Sequence, residues 1–430
     1  MKVIPNIADS FKIRSSVLFR LFYSLSIRLY YLLLRLAAPF NTKARQWLRG
    51  RAAIFSTIEN QLRDDTSPKA WFHCASLGEF EQARPVMERF ARAFPTYSIV
   101  LTFFSPSGYE VRKNWTGARH IFYLPLDTKA NARKFVRIVS PSIVYFVKYE
   151  FWFHYLDSLR RQSIPAISFS AIFRPNQLYF KPVARPYKEV LQSFRHLFVQ
   201  DQPSLRLLED QGFDNAELTG DTRFDRVVEI ADQRAEIPIA ARFKGKRRCF
   251  IIGSAWEEDI RVFLPPLLTR TDLKIIIAPH EIREGILSLI EREAGSSIRY
   301  SQADETNALD QQVLIIDNIG MLSSLYAYGD YAAIGGAFGK GLHNTLEAAV
   351  YGLPLFFGPN HHKFKEALDL KKAGAAYSVR DQKDFEKQFE PLYQSEERRA
   401  ELARVATRYV RENTGASDKI IAYSKTLLNL

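Results

Sequence analysis

The chain has 430 residues but only two cysteines, Cys74 and Cys249, which lie far apart in separate apolar runs. Two isolated thiols supply neither a disulfide framework nor a cysteine-based zinc site, so the sequence excludes small disulfide-stabilised domains and zinc fingers. Both cysteines lie in segments typical of buried strands, WFHCAS and RRCFIIGS. We therefore predict two buried free thiols.

The sequence also lacks a charge-free apolar run long enough to cross a bilayer. Its most apolar stretch, residues 17–40, is divided by Arg20, Arg28 and Arg35, whereas a spanning helix needs about 20 predominantly apolar residues. The same arginines make a secretory signal a poor match. Because they recur roughly every two turns, they lie near one side of a helix, which predicts an amphipathic helix at a membrane interface. The alternative is a first helix that only packs on its own domain.

Acidic residues are scarce at the N-terminal end. Residues 1–60 contain ten Lys or Arg and only two acidic residues, in a chain whose formal net charge is +13. Beside an apolar helix, this excess favours the anionic cytoplasmic leaflet of the inner membrane as partner. A nucleic acid is a poorer candidate, because the sequence contains neither a zinc-finger spacing nor an RNP-like aromatic motif. We assign residues 1–45 to a membrane-associating segment.

The rest of the chain alternates between two kinds of segment. Short β-rich apolar runs such as YSIVLTFF and SIVYFVKY alternate with amphipathic stretches, and a second series starts at RCFIIGS. This alternation predicts parallel strands with helical crossovers, hence an α/β fold with two Rossmann-like doubly wound domains facing a cleft. In such folds, ligands bind outside the carboxyl ends of the strands. The predicted ranges are 46–230 for the first domain, 231–248 for a linker, 249–400 for the second domain and 401–430 for C-terminal helices that can pack back on the first.

A glycine-rich loop precedes a predicted helix within IGGAFGKGLHNTLEAAVYGLPLFFGP, residues 334–359. Glycines allow a ligand to approach the backbone closely, and the start of a helix, expected near His343 or Asn344, favours a phosphate. The spacing matches neither a Walker A loop nor the dinucleotide fingerprint. Glu347 can accept hydrogen bonds from ribose hydroxyls; alternatively, Asn344 and Glu347 form a helix capping box. The glycines of the loop are Gly335, Gly336, Gly339 and Gly341.

A carboxylate follows the first strand of the first domain in WFHCASLGEFEQARP, residues 71–85. The pattern from Ser76 to Glu79 matches a capping box, which by itself explains the glutamate. The functional alternative is a general base for an acceptor hydroxyl. A carboxylate at the start of a helix is a weak base, but it can act when the proton leaves as the new bond forms.

Seven ordered segments, spread over most of the chain between Leu21 and Thr414, together resemble one known family. They are WFHCASLGEFEQARP (71–85), VKYEFWFHYL (147–156), LTGDTRFD (218–225), FIIGSAWEED (250–259), IIIAPHEIRE (275–284), DNIGMLSSLYAYGD (317–330) and GGAFGKGLHNTLEAAVYGLPLFFGPN (335–360). The family is that of the 3-deoxy-D-manno-octulosonic acid (Kdo) transferases, which glycosylate lipid A precursors. The resemblance implies a GT-B fold and inverting transfer of Kdo from CMP-Kdo, with no metal ion or other cofactor.

The resemblance also implies roles for individual residues. Glu79 would be the general base that activates the acceptor hydroxyl. The chain departs from the family at Asp221, where asparagine is usual, and near Arg174, which lies two residues beyond the arginine expected there. The residues implied for the CMP pocket are Arg223, Ser254, Pro279, His280, Gly320, Met321, Asn344 and Glu347.

The acceptor side has its own candidates. Its basic members suit an acceptor that carries phosphates, or equally form a solvated surface. His361 and His362 do not suggest a metal pair, because adjacent residues point apart, and we expect them in a surface loop. The acceptor-side candidates are Ser76, Gly78, Arg174, Lys181 and Arg185.

Two other functions stand beside Kdo transfer. One is a GT-B transferase or epimerase that uses a UDP-sugar, and the other is a catalytically silent membrane scaffold. The combination of Glu79, Glu347 and the glycine loop argues against the scaffold. Competition by UDP rather than CMP would favour the UDP-sugar enzyme.

Overall fold

The computed structural model of the chain describes residues 7–181, 184–304, 306–339 and 341–429, with side chains from Leu18 onward except that of Arg185. The described chain forms two compact units: residues up to Asp225 together with those from Gly415 onward, and Arg226–Thr414. Within the described residues, each unit contains one seven-stranded parallel sheet. The predicted α/β fold with two Rossmann-like domains is confirmed.

The first unit has the strand order β3-β2-β1-β4-β5-β6-β7. Its strands are β1 (Lys69–Cys74), β2 (Ser98–Phe103), β3 (His120–Tyr123), β4 (Pro141–Val147), β5 (Ala166–Ala171), β6 (His196–Val199) and β7 (Ala216–Leu218). Its helices are α1 (Ile7–Ala37), α2 (Thr42–Arg49), α3 (Ile54–Leu62), α4 (Leu77–Ala93), α5 (Pro106–Arg112), α6 (Lys129–Val139), α7 (Phe153–Arg161), α8 (Arg185–Leu191) and α9 (Gln202–Asp210). The helix α10 (Arg223–Asp232) continues into the second unit.

Strand residues of the first unit are apolar on both faces because helices cover both faces of its sheet. Neighbours on β1 illustrate this: Trp71 packs in one buried cluster and Phe72 in another. The second cluster also contains Ile420 and Ile421 of the C-terminal helix α19 (Ala416–Leu427). The backbone N–H groups of Gly415 and Ser417 donate to Asp225, at 2.6 and 2.7 Å.

Helix α1 carries an exposed apolar stripe. Its buried side packs on the first unit through Phe19, Tyr23 and Ile27. The exposed residues recur at helical spacing on another side: Leu18, Leu21, Phe22, Leu25, Leu29, Leu32, Leu33 and Leu36. Among the described residues, no single helix meets the length and apolarity needed to cross a membrane. The segment Leu18–Ala37 and α2, bent by 120° relative to each other, meet these criteria only as a pair.

The second unit has the strand order β10-β11-β9-β8-β12-β13-β14. Its strands are β8 (Arg248–Ala255), β9 (Leu273–Pro279), β10 (Ser297–Arg299), β11 (Val313–Ile315), β12 (Tyr331–Ile334), β13 (Leu355–Phe357) and β14 (Ala376–Ser378). Its helices are α11 (Pro238–Lys244), α12 (Glu257–Leu268), α13 (Glu284–Ala294), α14 (Leu322–Leu325), α15 (Leu346–Ala349), α16 (Lys365–Lys372), α17 (Gln382–Gln394) and α18 (Glu396–Glu412).

The second sheet positions a candidate site. The chain runs outward from β8 through β9, and later returns to the other side of β8 with β12. A ligand crevice is expected at such a reversal of strand order, beyond the carboxyl ends of the strands. The predicted linker range, 231–248, lies within this unit and includes α11. Both cysteines are free and buried, as predicted.

Candidate active site

Glu79 lies in the first turn of α4, directly after the carboxyl end of β1. Ser76 precedes this helix in an extended conformation, but its side chain accepts no backbone hydrogen bond. Instead, the Ser76 hydroxyl donates to Oε2 of Glu79. A reciprocal capping box is therefore not formed at this helix start. Gly78 is exposed beside this pair.

Sequence reasoning missed a second carboxylate, Glu150, which follows the adjacent strand β4. Its Oε2 lies 4.0 Å from Nε2 of the buried His73. That nitrogen accepts a hydrogen bond from the Trp152 indole, at 3.0 Å, and burial lowers the pKa of His73 to about 3. The imidazole is therefore neutral and forms no ion pair with Glu150.

Burial, together with the charge of Glu79, raises the pKa of Glu150 to about 7. The charge of Glu79 thus acts on Glu150 at the carboxyl ends of β1 and β4. The signal available in the sequence was the segment VKYEFWFHYL, which contributed to the family resemblance without a role for its glutamate. That Glu150 follows a strand adjacent to β1 is evident only from the order of the strands in the sheet.

The basic acceptor-side candidates follow β5. Arg174 is exposed, and its backbone N–H donates to Oε1 of Gln177 at 2.7 Å. Lys181 is also exposed. Arg185 is the first residue of α8, and its side chain lies outside the described residues. Both interpretations, a phosphate-binding surface and a solvated face, therefore stay open.

Arg223 lies in the first unit, next to Asp221. The guanidinium pairs with Oδ2 of Asp221 at 2.8 Å, and the amides of Gln82 and Gln200 donate to the same carboxylate. Burial alone would raise the pKa of Asp221, but Arg223 and these hydrogen bonds hold it below its usual range. The aspartate that replaces the asparagine usual in the family is thus the ion-pair partner of this arginine.

In the second unit, the implied CMP-pocket residues gather at the carboxyl ends of β8, β9, β11 and β12. Ser254 belongs to the end of β8 and has a left-handed backbone, with φ of 51°. Pro279 ends β9, and His280 follows it. Gly320 and Met321 lie in the loop after β11. The strand order brings these loops to one edge of the sheet.

The glycine loop packs tightly against β8. A Cβ atom on Gly335 would lie 2.2 Å from the carbonyl oxygen of Ser254. Gly336 has a φ of 93°, and a Cβ atom there would lie 2.3 Å from the carbonyl oxygen of Gly341. A Cβ atom on Gly339, by contrast, meets nothing within 4 Å. The first two glycines are thus required by the fold of the loop itself.

A buried carboxylate holds the glycine loop in place. Oδ2 of Asp259 accepts from the backbone N–H groups of Trp256 and Gly336, at 2.8 and 2.9 Å. Burial raises the pKa of Asp259 to about 6. A cavity of about 660 Å³ adjoins this point, and its lining includes Trp256, Asp259, Arg283, Gly336 and Phe338. A volume of this size is typical of small-molecule sites.

Three aromatic rings stack beside the loop. The His280 ring stacks with that of Trp256, with centroids 4.6 Å apart, and with that of His343, with centroids 4.2 Å apart. The Trp256 indole nitrogen, which only donates, is 3.1 Å from Nε2 of His343. Burial lowers the pKa of His343 to about 4, so the ring is neutral and carries its proton on Nδ1. Sequence reasoning missed Trp256 and His343, although both lie within the recognised segments.

Glu347 is oriented by two donors. Oε1 accepts from Nδ2 of Asn344 at 3.0 Å, and Oε2 accepts from the hydroxyl of Ser323 at 2.7 Å. The predicted helix start was too early, because Oδ1 of Asn344 accepts from the N–H of Leu346 and closes a turn ahead of the helix. The resulting helix, α15, has four residues and so contributes little dipole.

The two adjacent histidines differ in exposure. His361 is buried, so the prediction of a surface loop is wrong for it, whereas His362 is exposed. His361 packs against Phe357, the last residue of β13. Across the described residues, no group of three or more His, Cys, Asp or Glu side chains is arranged to hold a metal ion.

The chain is similar to known proteins over most of its length. Residues 48–226 match the family described as 3-Deoxy-D-manno-octulosonic-acid transferase (kdotransferase). A 3-deoxy-D-manno-octulosonic acid transferase of Chlamydophila psittaci is 27% identical over 368 residues, which cover 82% of this chain and 84% of the relative. The enzyme of the same name from Haemophilus influenzae is 25% identical over 371 residues, covering 83% and 87%.

The chain is thus similar to the 3-deoxy-D-manno-octulosonic-acid transferase family over most of its length. The prediction of a glycosyltransferase of this family, made from the seven segments, is confirmed.

Solved structures agree with this Kdo transferase family in fold. UDP-GlcNAc 2-epimerase from Neisseria meningitidis matches with a TM-score of 0.60 and 17% identity, over 84% of this chain and 100% of the epimerase. MurG from Acinetobacter baumannii matches with a TM-score of 0.53 and 13% identity, over 83% and 99%. At these identities the likeness concerns the fold alone, which is of the GT-B type.

Proposed function

We propose that the chain transfers Kdo from CMP-Kdo to a lipid A precursor, with inversion and without a metal ion, at the cytoplasmic face of the inner membrane. The observation that carries the proposal is the similarity to the Kdo transferase family together with Glu79. This glutamate follows the carboxyl end of β1, and its side chain accepts from the Ser76 hydroxyl.

In this proposal, Glu79 is the general base that accepts the proton of the attacking hydroxyl. Glu150 is the second carboxylate of a pair. An ionised Glu150 places additional negative charge beside the base, which favours uptake of the acceptor proton by the pair. The Ser76 hydroxyl, which donates to Glu79, holds the base in one orientation.

The second unit would bind the donor nucleotide. Glu347 is oriented by Asn344 and Ser323. A carboxylate oxygen accepts more than one hydrogen bond, as contact with a ribose diol would require. The Nδ1–H of His343 is a donor for an oxygen of CMP-Kdo. Ser254, Pro279, His280, Gly320 and Met321 would line the same pocket, with the glycine loop allowing close approach of the ligand.

Departure of CMP requires that negative charge developing on its phosphate be stabilised. Backbone N–H groups and basic side chains can do this, with Arg223 as the candidate implied by the family resemblance. Asp221 holds the guanidinium in a fixed orientation through two contacts, at 2.8 and 2.9 Å. On the acceptor side, Gly78 leaves space beside Glu79, and Arg174, Lys181 and Arg185 are the candidates for contacts with acceptor phosphates.

The exposed apolar stripe of α1 supports attachment to a membrane, where a lipid acceptor resides. Leu21, Phe22 and Leu25 are each more than 60% exposed. In water such a stripe is unfavourable, whereas at a bilayer interface it is buried among acyl chains.

The direct test is incubation of the purified chain with CMP-Kdo and a tetra-acylated lipid A precursor in detergent with EDTA, followed by mass spectrometry of the lipid. A gain of one or more Kdo units is the expected result. A chain that binds CMP but adds no sugar would contradict the proposed acceptor. Binding of UDP in preference to CMP would contradict the proposed donor.

A further inference from the structure

An unusual row of positive charge runs along helix α6 of the first unit. Lys129, Arg133 and Arg137 are exposed and follow one another at a spacing of four residues, so they lie on one side of the helix. The helix, KANARKFVRIV, contains no acidic residue. Lys134, which lies off this row, pairs with Glu59 at 3.0 Å. Among the described side chains, no salt bridge joins the three residues of the row to a carboxylate.

This row is unfavourable for an isolated helix. Like charges four residues apart repel each other, by about 0.2–0.5 kcal/mol per pair. Lys129 is also the first residue of the helix, after the N-cap Thr128, where the helix dipole favours an anion and disfavours a cation. An anionic partner along this side of α6 removes both penalties.

The basic row adjoins the apolar stripe of α1. A groove of about 820 Å³ lies between the two helices. Its α1 side is formed mainly by Leu18, Leu21, Phe22 and Leu25, while Arg28, Lys129 and Arg133 supply positive charge. Among the side chains that the structure describes, no acidic one lines this groove. The groove therefore offers an apolar wall and a cationic wall, which complement an acyl chain and a phosphate headgroup.

Hydrogen bonds fix the two walls relative to each other. Tyr23 of α1 donates to Oδ2 of Asp127 at 2.6 Å. The same carboxylate accepts from the backbone N–H groups of His154 and Tyr155, both at 3.1 Å. Ser24 contacts Nε2 of His154 at 3.0 Å. Because Asp127 lies two residues before α6, these bonds join α1 to the start of the basic row.

We propose that the apolar stripe of α1 and the basic row of α6 together bind a membrane surface that contains anionic phospholipid, with headgroup phosphates at the groove. The inference rests on the membrane attachment proposed above for α1. It adds a second helix to the contact and assigns it a preference for anionic lipid. A nucleic acid suits this surface less well, because it would leave the aliphatic stripe of α1 in water.

The test is sedimentation of the full chain with two kinds of vesicle, phosphatidylcholine alone and phosphatidylcholine with about one third phosphatidylglycerol. The variant replaces Lys129, Arg133 and Arg137 with Gln, which removes the charge and keeps a polar side chain of similar helix propensity. The matched control replaces Arg398, Arg404 and Arg408, exposed on α18, with Gln, and therefore changes the net charge equally. Thermal unfolding followed by circular dichroism checks that both variants fold.

A basic residue near an anionic membrane contributes about 1 kcal/mol, or about a fivefold change in partition coefficient. The α6 variant should therefore lose roughly a hundredfold in partitioning to anionic vesicles and keep its partitioning to neutral ones. The control should change neither. Equal losses in both variants, or no loss in the α6 variant, would overturn the proposal.

Two further measurements distinguish the role of the basic row of α6 from the membrane attachment through α1 and from Kdo transfer. In the parent chain, added salt should weaken binding to anionic vesicles and leave binding to neutral vesicles unchanged. Replacing Leu21 and Leu25 with Ser should weaken binding to both. Binding unaffected by the Leu variant would contradict the attachment through α1. Since no sugar donor is present, failure of Kdo transfer leaves this test unaffected.

Discussion

The indole N–H of Trp256 donates to Nε2 of His343 across 3.1 Å. The bond determines which nitrogen of a neutral imidazole carries the proton, and so leaves Nδ1–H as a donor. Both rings also stack with that of His280. A hydrogen-bond donor of known position thus lies beside the glycine loop.

Replacing Trp256 with Phe should weaken CMP-Kdo binding by about five- to tenfold, because a hydrogen bond of about 1 kcal/mol no longer selects the tautomer of His343. Nitrogen-detected NMR of the histidines would show the Nδ1–H form in the parent chain and a mixture of tautomers in the variant. An unchanged tautomer with weakened binding would mean that stacking, rather than the hydrogen bond, is responsible.

Replacing Glu79 with Gln should reduce Kdo transfer by about 10²- to 10⁴-fold, the usual range for loss of a general base. CMP binding, measured by calorimetry, should be unchanged. The control is Glu88→Gln on the same helix, where the glutamate pairs with Arg84 at 2.7 Å. Comparable losses in both variants would indicate a defect of the helix and remove the proposed role of Glu79.

The pKa of Glu150 predicts that the rate of Kdo transfer depends on pH. Its pKa of about 7 means that it is protonated below neutral pH and ionised above it. Transfer should therefore increase as the pH rises through 7, by about tenfold in kcat/KM, because the ionised form favours proton uptake by the carboxylate pair. Glu150→Gln should abolish this increase and keep the low-pH rate at every pH. An inflection near pH 7 that persists in the variant would assign it to another group.

The glycine loop offers a matched pair of substitutions. Gly335→Ala should lower the free energy of unfolding by about 1–3 kcal/mol and abolish CMP binding, because the new Cβ atom overlaps the backbone of Ser254. Gly339→Ala, where the Cβ atom meets nothing within 4 Å, should change the free energy of unfolding by less than about 0.5 kcal/mol. Urea unfolding measures both. Equal destabilisation would show that the loop as a whole, rather than its contact with β8, resists substitution.

The local sequence pattern was sufficient to predict the α/β class and the strand segments. Apolar runs and amphipathic stretches show which side of each segment is buried, independently of the other segments. The local pattern was also sufficient for the apolar α1, for Glu79 at a helix start and for the glycine loop, since each is one continuous segment. The family followed from seven such segments in order. At Asn344 the pattern was less accurate, because a side-chain turn delays the helix to Leu346.

Only the tertiary structure decided which residues act together. The charge of Glu79 acts on Glu150 because β4 lies beside β1, although the two residues are far apart in the chain. Trp256 meets His343 because β12 returns to the side of β8. The basic row of α6 adjoins the apolar stripe of α1 because Tyr23 bonds to Asp127. Each pair depends on strand order or helix packing, which arise because distant segments bury one another. The spacing of residues along the sequence does not determine either of these.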